Sequence, residues 1–238
     1  MNKVDVIIPL FNGAPWIRET LDSVLAQTCP VDKIIVVDDG STDNSVEIVK
    51  EYSDVVFSRN PNKGASSAKN FGLEQSCAEY VAFLDQDDIW HKDHLRILAK
   101  LLDENKDVPA VLSGHVYFRD GETPILSTED ERVFSHDLWS GFPSRAIEHR
   151  TSAILFRRTV FQQKGGWSLR QYGQCDYELL TRISAGSRLL RSAAATLGYR
   201  SRPGSITQHL YKDIVQLMEL REKVADDLLD YYLSLIHI

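Results

Sequence analysis

The sequence KIIVVDDGSTD, residues 33–43, joins a run of branched apolar residues to a polar turn. Lys33–Val37 has the composition and length of a buried strand, and the Asp, Gly and Ser residues that follow would end it. Two other runs have the same form: Val4–Leu10 ends at an Asn-Gly pair, and Tyr80–Leu84 ends at the sequence DQDD, residues 85–88. The pattern predicts strands that carry polar residues at their carboxyl ends.

Segments with helical periodicity separate these strands. Helices are predicted over Pro15–Gln27, Ala65–Ser76 and Asp93–Asn105, and Asp43 is placed to cap a further helix after the second strand. A short third strand is predicted at Val55–Phe57. This alternation predicts an α/β fold with an open, mostly parallel twisted sheet and helices on both faces. In such sheets, ligands bind beyond the carboxyl ends of the strands.

The second half of the chain is less regular. Residues 119–150 are rich in Gly, Pro, Ser and charge, and the composition predicts a loop. The periodicity predicts two helices, over Asp176–Ala185 and over residues 208–235. The remaining predicted elements are strands at Ala110–Phe118, Thr151–Phe156 and Arg188–Leu190.

Composition limits the classes of partner. The chain has 238 residues and a formal charge of −7 at pH 7, with no basic stripe, so nucleic acid is not an expected partner. Its three cysteines form neither a zinc pattern nor a disulfide framework, which favours the reducing cytoplasm. No apolar run is long enough to span a membrane and no signal peptide is expected. Contact with the inner face of a membrane stays open, through Trp139, Phe142 or the C-terminal helix.

The DQDD sequence is the sharpest local feature. Its three carboxylates repel one another unless a positive charge neutralises them. Mn²⁺ or Mg²⁺ would do so, because these ions favour oxygen ligands and are often shared between one or two carboxylates and substrate phosphates. The alternative is a solvated acidic turn before the next helix.

Each of the other polar positions has a functional interpretation and a purely structural one. A carboxylate at Asp38 or Asp39 could accept a hydrogen bond from a base or a ribose, or could simply close the turn after a strand. Lys63 could offset phosphate charge at a helix start, or could be a surface lysine. Asp176 could be a general base or an N-cap, and His209 a metal ligand or a surface residue.

Five segments in order, together with their spacing, resemble the family-2 glycosyltransferases, which have the GT-A fold. These segments are VIIPLFN (6–12), SVLAQT (23–28), IVVDDGSTD (35–43), NKGASSAKNFGL (62–73) and FLDQDDIW (83–90). A later Gly-Gly-Trp at 165–167, with Asp176 and Arg182, looks like the acceptor side of that family. The resemblance implies a catalytic domain over residues 1–207, with a nucleotide-binding half (1–108) and an acceptor-side half (109–207), followed by a helical extension over 208–238.

The resemblance also implies a nucleotide pocket. Pro9 and Asn12 would line it, and Lys63 would lie near the nucleotide. Asp38 and Asp39 would hold the uracil and ribose of a UDP-sugar, with Asp39 the preferred contact to the base.

By the same resemblance, Asp85 and Asp87 match the two acids of the family's DxD motif, and Asp87 is the expected direct ligand of Mn²⁺ or Mg²⁺. Asp176 matches the catalytic base. Two departures stand out: Cys175 replaces the family's usual Glu before the base, and Lys69 replaces an Arg in the third helix.

The implied function is transfer of one sugar, with inversion, from a nucleotide donor to an acceptor hydroxyl. The QxxRW motif of processive members is absent. A glycan or lipid-linked acceptor and a role in cell-surface polysaccharide assembly are expected by family analogy. Three alternatives stay open: a nucleotidyltransferase, a binding module for nucleotide-sugars without catalysis, and the catalytic domain of a longer enzyme.

Overall fold

The computed structural model describes residues 3–136, 150–169 and 175–202. Within those ranges the strands are β1 (Val4–Leu10), β2 (Val31–Asp38), β3 (Val55–Arg59), β4 (Tyr80–Phe83), β5 (Ile89–Trp90), β6 (Ala110–Phe118), β7 (Val133–His136), β8 (Ile154–Arg157) and β9 (Leu189–Arg200). The helices are α1 (Ile17–Leu25), α2 (Ser45–Lys50), α3 (Ala65–Gln75), α4 (His94–Glu104), α5 (Thr159–Lys164) and α6 (Cys175–Ile183), with a 3₁₀ turn at Thr151–Ala153.

All nine of these strands belong to one sheet, in the order β3-β2-β1-β4-β8-β6-β9-β5, with β7 also paired to β9. Strands β3, β2, β1 and β4 run parallel to one another. Strand β8 is antiparallel to both β4 and β6, whereas β6 and β9 are parallel. The parallel half ends at β4, and the mixed half begins there.

Two apolar cores cover the two faces of the sheet. Alternate residues of β1 point to opposite faces, so Ile8 packs in one core and Ile7 in the other. Helices α1, α2 and α4 pack on the first face, and α3, α5 and α6 on the second. At Gly72 of α3 an added Cβ would lie 2.4 Å from a methyl carbon of Ile7, so the helix approaches the strand closely. The expected α/β sheet with helices on both faces is confirmed.

Several predicted boundaries were wrong in the second half. The predicted strand at Thr151–Phe156 begins with a 3₁₀ turn, and its strand starts at Ile154. The predicted loop over 119–150 contains β7. The short strand predicted at Arg188–Leu190 is the beginning of the twelve-residue β9. This strand pairs with β7 near its start, with β6 along most of its length and with β5 near its end. Neither β5 nor α5 was predicted.

The first half follows its predictions more closely. Helix α2 begins at Ser45, with Asn44 rather than Asp43 at the N-cap position. The Asp43 carboxylate still accepts a hydrogen bond from the Ser45 backbone N–H at 3.0 Å. The predicted helix over 208–235, with His209, and the aromatic residues Trp139 and Phe142 lie outside the described residues.

None of the helices in the described ranges has both the length and the hydropathy to cross a membrane.

A buried carboxylate joins the start of β1 to the turn between α3 and β4. The Asp5 side chain accepts hydrogen bonds from Ser76 Oγ at 2.7 Å and from the backbone N–H groups of Cys77 and Ala78, each at 3.0 Å. Asp5 is fully buried. The bonds hold the turn that leads into β4 and therefore fix where that strand enters the sheet.

Replacement of Asp5 by Ala is expected to lower the free energy of unfolding by roughly 2–4 kcal/mol, because the buried Ser76 hydroxyl and the buried Ala78 N–H lose their acceptor. Urea denaturation measures the change. The matched control is Asp32→Ala, which breaks an exposed ion pair with Lys3 and should cost less than about 1 kcal/mol. Equal losses in the two variants would contradict the role given to Asp5.

Candidate active site

The carboxyl ends of β1, β2 and β4 lie side by side because these strands pair in parallel. Leu10 is paired with Asp38, and Ile7 is paired with both Ile35 and Phe83. The polar turns after the three strands therefore share one edge of the sheet, as the sequence predicts.

The turns after β1 and β2 are joined by hydrogen bonds. Asn12 has a φ of 49°, a left-handed conformation that Asn tolerates. Its Oδ1 accepts from the Thr42 N–H at 2.8 Å. Three consecutive backbone N–H groups donate to side chains of the other turn: Asn12 to Ser41 Oγ at 3.0 Å, Gly13 to Ser45 Oγ at 2.8 Å and Ala14 to Asp43 Oδ2 at 3.0 Å. These N–H groups are thus already occupied at the start of α1.

The two aspartates after β2 have different surroundings. Asp38 is buried, and its Oδ1 accepts from the Ser41 N–H at 2.9 Å. Asp39 is half-buried and faces the start of α3, where its carboxylate accepts from the Gly64 N–H and from Asn60 Nδ2 at 2.7 Å. Asp39 is therefore the more accessible of the two carboxylates.

Two further predicted pocket residues border this region. Pro9 is half-buried in β1 and is paired with Val37 of β2. Lys63 is exposed in the turn before α3 and immediately precedes Gly64, whose N–H binds Asp39. Both lie near the polar edge of the sheet.

Asp85, the first carboxylate of the acidic turn after β4, forms an ion pair with Lys69. The backbone N–H of Asp85 donates to Ser152 Oγ at 3.1 Å, and its Oδ1 lies 3.2 Å from Lys69 Nζ. The next residue, Gln86, bonds both backbone groups of Phe11 through its amide, at 2.8 and 2.9 Å. An added Cβ at Gly13 would lie 2.5 Å from that amide oxygen, so glycine there makes room for Gln86.

Asp87 faces an arginine from beyond β9. Arg202 Nε donates to Asp87 Oδ2, and the exposed fractions of the two side chains are 25% and 15%. Burial raises the pKa of the Asp87 carboxyl; Arg202 opposes this shift, and the neighbouring Asp85 charge adds to it.

Asp88 is the buried member of the turn. Its Oδ2 accepts from Ser152 Oγ at 2.6 Å, and its Oδ1 accepts from the Arg200 N–H at 3.0 Å. Burial and the charges of Asp87 and Asp85 raise the pKa of Asp88 well above its usual range. Asp88 thereby ties the end of β4 to both β8 and β9.

Lys69 of α3 pairs with Asp85 of the acidic turn, and the charge of the predicted base Asp176 also acts on it. Its ammonium stands 4.5 Å from the centre of the Trp167 ring and is nearly buried. Burial alone would lower the pKa of Lys69, but the nearby acidic groups, Asp85 first, more than offset this and raise it. Lys69 is therefore a cation at pH 7, within electrostatic reach of both Asp85 and Asp176.

Two side chains hold the Gly-Gly-Trp segment against α3 and α6. The Asn70 amide accepts from the Trp167 N–H at 2.7 Å and donates to the Trp167 carbonyl at 2.8 Å. Arg182 pairs with Glu178 at 2.7 Å and donates to the Gly166 carbonyl, also at 2.7 Å. An added Cβ at Gly166 would lie 2.3 Å from the Asn70 amide oxygen, which requires glycine at that position.

The residue before the predicted base is a neutral thiol. Burial raises the pKa of Cys175, while Lys69 lowers it by less. A thiol with a raised pKa is a poor nucleophile. Asp176, in the first turn of α6, is partly exposed and is thus the accessible acid at this position.

The acidic turn fits a divalent cation that shares its coordination with a substrate. No group of three or more His, Cys, Asp or Glu side chains in the described ranges is arranged to hold a metal by itself. Asp85 and Asp87 supply carboxylates of which the first is 39% exposed. One or two carboxylates completed by phosphate oxygens is an arrangement typical of Mg²⁺ sites.

Sequence reasoning missed several residues of this region. Asp88, Ser152, Arg200 and Arg202 were given no role, and Lys69 was noted only for its charge. The available signal was the excess of carboxylates in the turn, which requires cations nearby. It could not say which cations, because Arg200 and Arg202 are more than a hundred residues away in sequence.

This arrangement of sheet and carboxyl-edge turns is that of the GT-A glycosyltransferases. The structure resembles S. aureus TarS (residues 1–349) in complex with UDP-GlcNAc, with a TM-score of 0.77 and 24% identity over 95% of this chain and 66% of that chain. It also resembles the mannosyltransferase PcManGT of Pyrobaculum calidifontis in complex with GDP-Man and Mn²⁺, with a TM-score of 0.66 and 22% identity, covering 87% of this chain and 59% of that one.

The chain belongs to glycosyltransferase family 2. The profile described as Glycosyl transferase family 2 matches residues 5–172. A curated relative, the "Uncharacterized glycosyltransferase YibD" of Escherichia coli (strain K12), is 29% identical over 97% of this chain and 74% of its own length. The chain spans 66% of the TarS chain and 59% of the PcManGT chain.

Replacement of Asp88 by Asn is expected to change how stability depends on pH. Because the folded state raises the pKa of Asp88, the wild-type protein loses stability as pH rises above the ordinary carboxyl value of 3.8, where the unfolded chain has already ionised. The Asn variant cannot ionise, so its free energy of unfolding should gain on that of the wild type as the pH rises from about 4 to 7.

Urea denaturation across that range measures the gain. The control is Asp54→Asn at an exposed carboxylate, whose profile should run parallel to the wild type. If the Asp88→Asn profile also ran parallel to that of the wild type, the folded protein would not raise the pKa of Asp88.

Proposed function

We propose that the protein transfers a sugar from UDP to an acceptor hydroxyl, with inversion at the anomeric carbon. The observation that carries the proposal is the placement of Lys69, which lies 3.2 Å from Asp85 and within electrostatic reach of Asp176. This supports one site for the acids assigned to the DxD motif and the predicted base, although they come from opposite halves of the chain.

The donor nucleotide would bind along the edge formed by the turns after β1 and β2. Asp39 is half-buried there and would accept a hydrogen bond from the uracil, with Asp38 holding the turn behind it. Pro9, Asn12 and Lys63 would border the nucleotide. TarS binds UDP and UDP-GlcNAc, and it shares the fold. This supports a UDP-sugar as the donor class.

The donor diphosphate would lie at the acidic turn. Asp87 would be the direct ligand of Mn²⁺ or Mg²⁺, with Asp85 beside it. When bound, the cation would stabilise the negative charge that develops on the leaving diphosphate. Lys69 adds a fixed positive charge on the same side. PcManGT binds Mn²⁺ together with its nucleotide-sugar, which supports a divalent cation here.

Asp176 would accept the proton of the acceptor hydroxyl as that oxygen attacks the anomeric carbon. The bond to the diphosphate breaks on the opposite face of the sugar, where positive charge develops at the ring as in other glycosyl transfers. One displacement with one base inverts the anomeric centre. Because Cys175 stands where the family usually has Glu, Asp176 would carry this step without a carboxylate at the preceding position.

Surface polysaccharide assembly is the setting we propose from family analogy. The acceptor would be a glycan or a lipid-linked sugar, and the protein would act on the cytoplasmic side, with peripheral contact to the membrane where the acceptor is lipid-linked.

The turn after β1 argues against a nucleotidyltransferase. Such enzymes hold a triphosphate with free backbone N–H groups near a helix start. Here the N–H groups of Asn12, Gly13 and Ala14 already donate to Ser41, Ser45 and Asp43. The loop between β1 and α1 is therefore not a phosphate cradle.

Asp87→Asn is expected to remove the metal-dependent part of UDP binding. Calorimetric titration of UDP into the wild type should give tight binding with Mn²⁺ and weak binding with EDTA, because the cation joins Asp87 to the diphosphate. In the variant the two titrations should be alike. The control Asp54→Asn should keep the wild-type difference. Equal UDP affinity with Mn²⁺ and with EDTA in the wild type would refute the metal assignment.

Asp176→Asn is expected to lower transfer by about 10²–10⁴-fold and to leave UDP binding unchanged, since a general base acts on the acceptor rather than on the nucleotide. Turnover of UDP-sugars on glycan acceptors and UDP calorimetry provide the two readouts. Asp107→Asn, at an exposed carboxylate paired with Arg188, is the matched control. Near-normal transfer by Asp176→Asn would sink the base assignment, and UDP binding without transfer by the wild type would favour a binding module.

A further inference from the structure

Arg202 binds the same carboxylate that the proposed function assigns to the metal. Its Nε donates to Asp87 Oδ2, and its neighbour Arg200 donates to the Asp87 carbonyl at 2.7 Å. The pair joins the turn after β4 to the chain just beyond β9. An arginine and a divalent cation compete for one carboxylate, because both draw on its negative charge and the two positive charges repel each other.

The other side of Arg202 rests on an aromatic ring. Its guanidinium carbon lies 4.4 Å from the centre of the Trp16 ring, a cation–π contact. Trp16 is held in turn, because its Nε1 donates to Asp120 Oδ1 at 2.9 Å. Arg202 is therefore clamped between the start of α1 and the acidic turn.

The two cations that pair with carboxylates of the acidic turn, Lys69 and Arg202, differ in how readily they can dissociate from them. Lys69 belongs to α3, is 7% exposed and lies against Trp167. Arg202 follows the end of β9 by two residues and is 25% exposed. Water can solvate the Arg202 guanidinium without any change in the sheet, whereas Lys69 has no such route. The exchangeable counter-charge is therefore at Asp87.

We propose that Arg202 is a positioning residue that holds Asp87 in the metal-free protein and competes with the divalent cation for it. Metal binding breaks the Arg202–Asp87 pair and releases Arg202 from Trp16. This inference rests on the proposed function, specifically on Asp87 as a metal ligand. The new element is that Arg202, a residue of the protein itself, competes with the metal ion for Asp87.

The proposal makes a prediction whose sign separates it from a merely structural role. Arg202→Gln frees the Asp87 carboxylate and removes a like charge, so Mn²⁺ should bind about tenfold more tightly than to the wild type. A structural role for Arg202 would instead leave the affinity unchanged or weaken it. The loss of the electron paramagnetic resonance signal of free Mn²⁺ measures binding directly, with the protein alone and with UDP, and needs no turnover.

The matched control is Arg96→Gln. Arg96 also pairs with an aspartate through Nε, at 2.9 Å from Asp93, but at the start of α4. The Arg96→Gln substitution removes the same charge and the same kind of bond without affecting Asp87, so the Mn²⁺ affinity of this variant should equal that of the wild type. A tenfold gain in this control as well would assign the effect to net charge and overturn the proposal.

Release of Arg202 has a second readout in the Trp16 ring. Mg²⁺ is not a paramagnetic quencher, so its titration should change the fluorescence of the wild type only through structure. The change should disappear in both Trp16→Phe and Arg202→Gln. Fluorescence that stays constant at saturating Mg²⁺ in the wild type would overturn the release step.

Asp87→Asn distinguishes failure of this inference from failure of the proposed function. If the wild type binds Mn²⁺, Asp87→Asn does not, and Arg202→Gln binds as the wild type does, the metal site stands and the competition is refuted. If neither the wild type nor Arg202→Gln binds Mn²⁺, with or without UDP, both are refuted. Thermal melting of each variant confirms that it is folded before binding is compared.

Discussion

Asp88 is a buried carboxylate at the point where the parallel half of the sheet meets the mixed half. It receives one hydrogen bond from Ser152, just before β8, and one from the backbone of Arg200 in β9. Its raised pKa reflects burial beside two further acids. The two hydrogen bonds offset part of the free energy that the burial of this carboxylate costs. They also fix the turn after β4 against the segment before β8 and against β9.

The remaining charges of the site follow from this constraint. Once Asp88 holds the turn, Asp85 and Asp87 stand at the edge of the sheet and each meets a cation, Lys69 or Arg202. The cations come from opposite sides, one from α3 and one from beyond β9. The carboxylates of Asp85 and Asp87 are therefore each paired with a cation that the protein itself supplies.

Much of the parallel half could be predicted from sequence. Strand β1 was predicted to the residue, and β2, β4, α3 and α4 to within a few residues, because buried parallel strands are short apolar runs ended by polar turns. The second half was harder for a physical reason. Strand β9 contains Ser-Ala-Ala-Ala, which has no strand periodicity, and it is a strand only because β6, β5 and β7 pair with it. Pairing between distant segments leaves little trace in local sequence.

The sequence by itself determined the class of fold, the membership of family 2 and the polar turns at the carboxyl ends of β1, β2 and β4. Those features depend on local residue patterns, and five motifs in order are specific. The tertiary structure alone decided which cation faces which acid, that Asp38 is buried while Asp39 is accessible, and that Lys69 of α3 pairs with Asp85. Such facts depend on segments up to 115 residues apart meeting at one edge of the sheet. The secondary-structure propensity of a short segment does not depend on which distant segment it will contact, so these contacts could not be predicted from it.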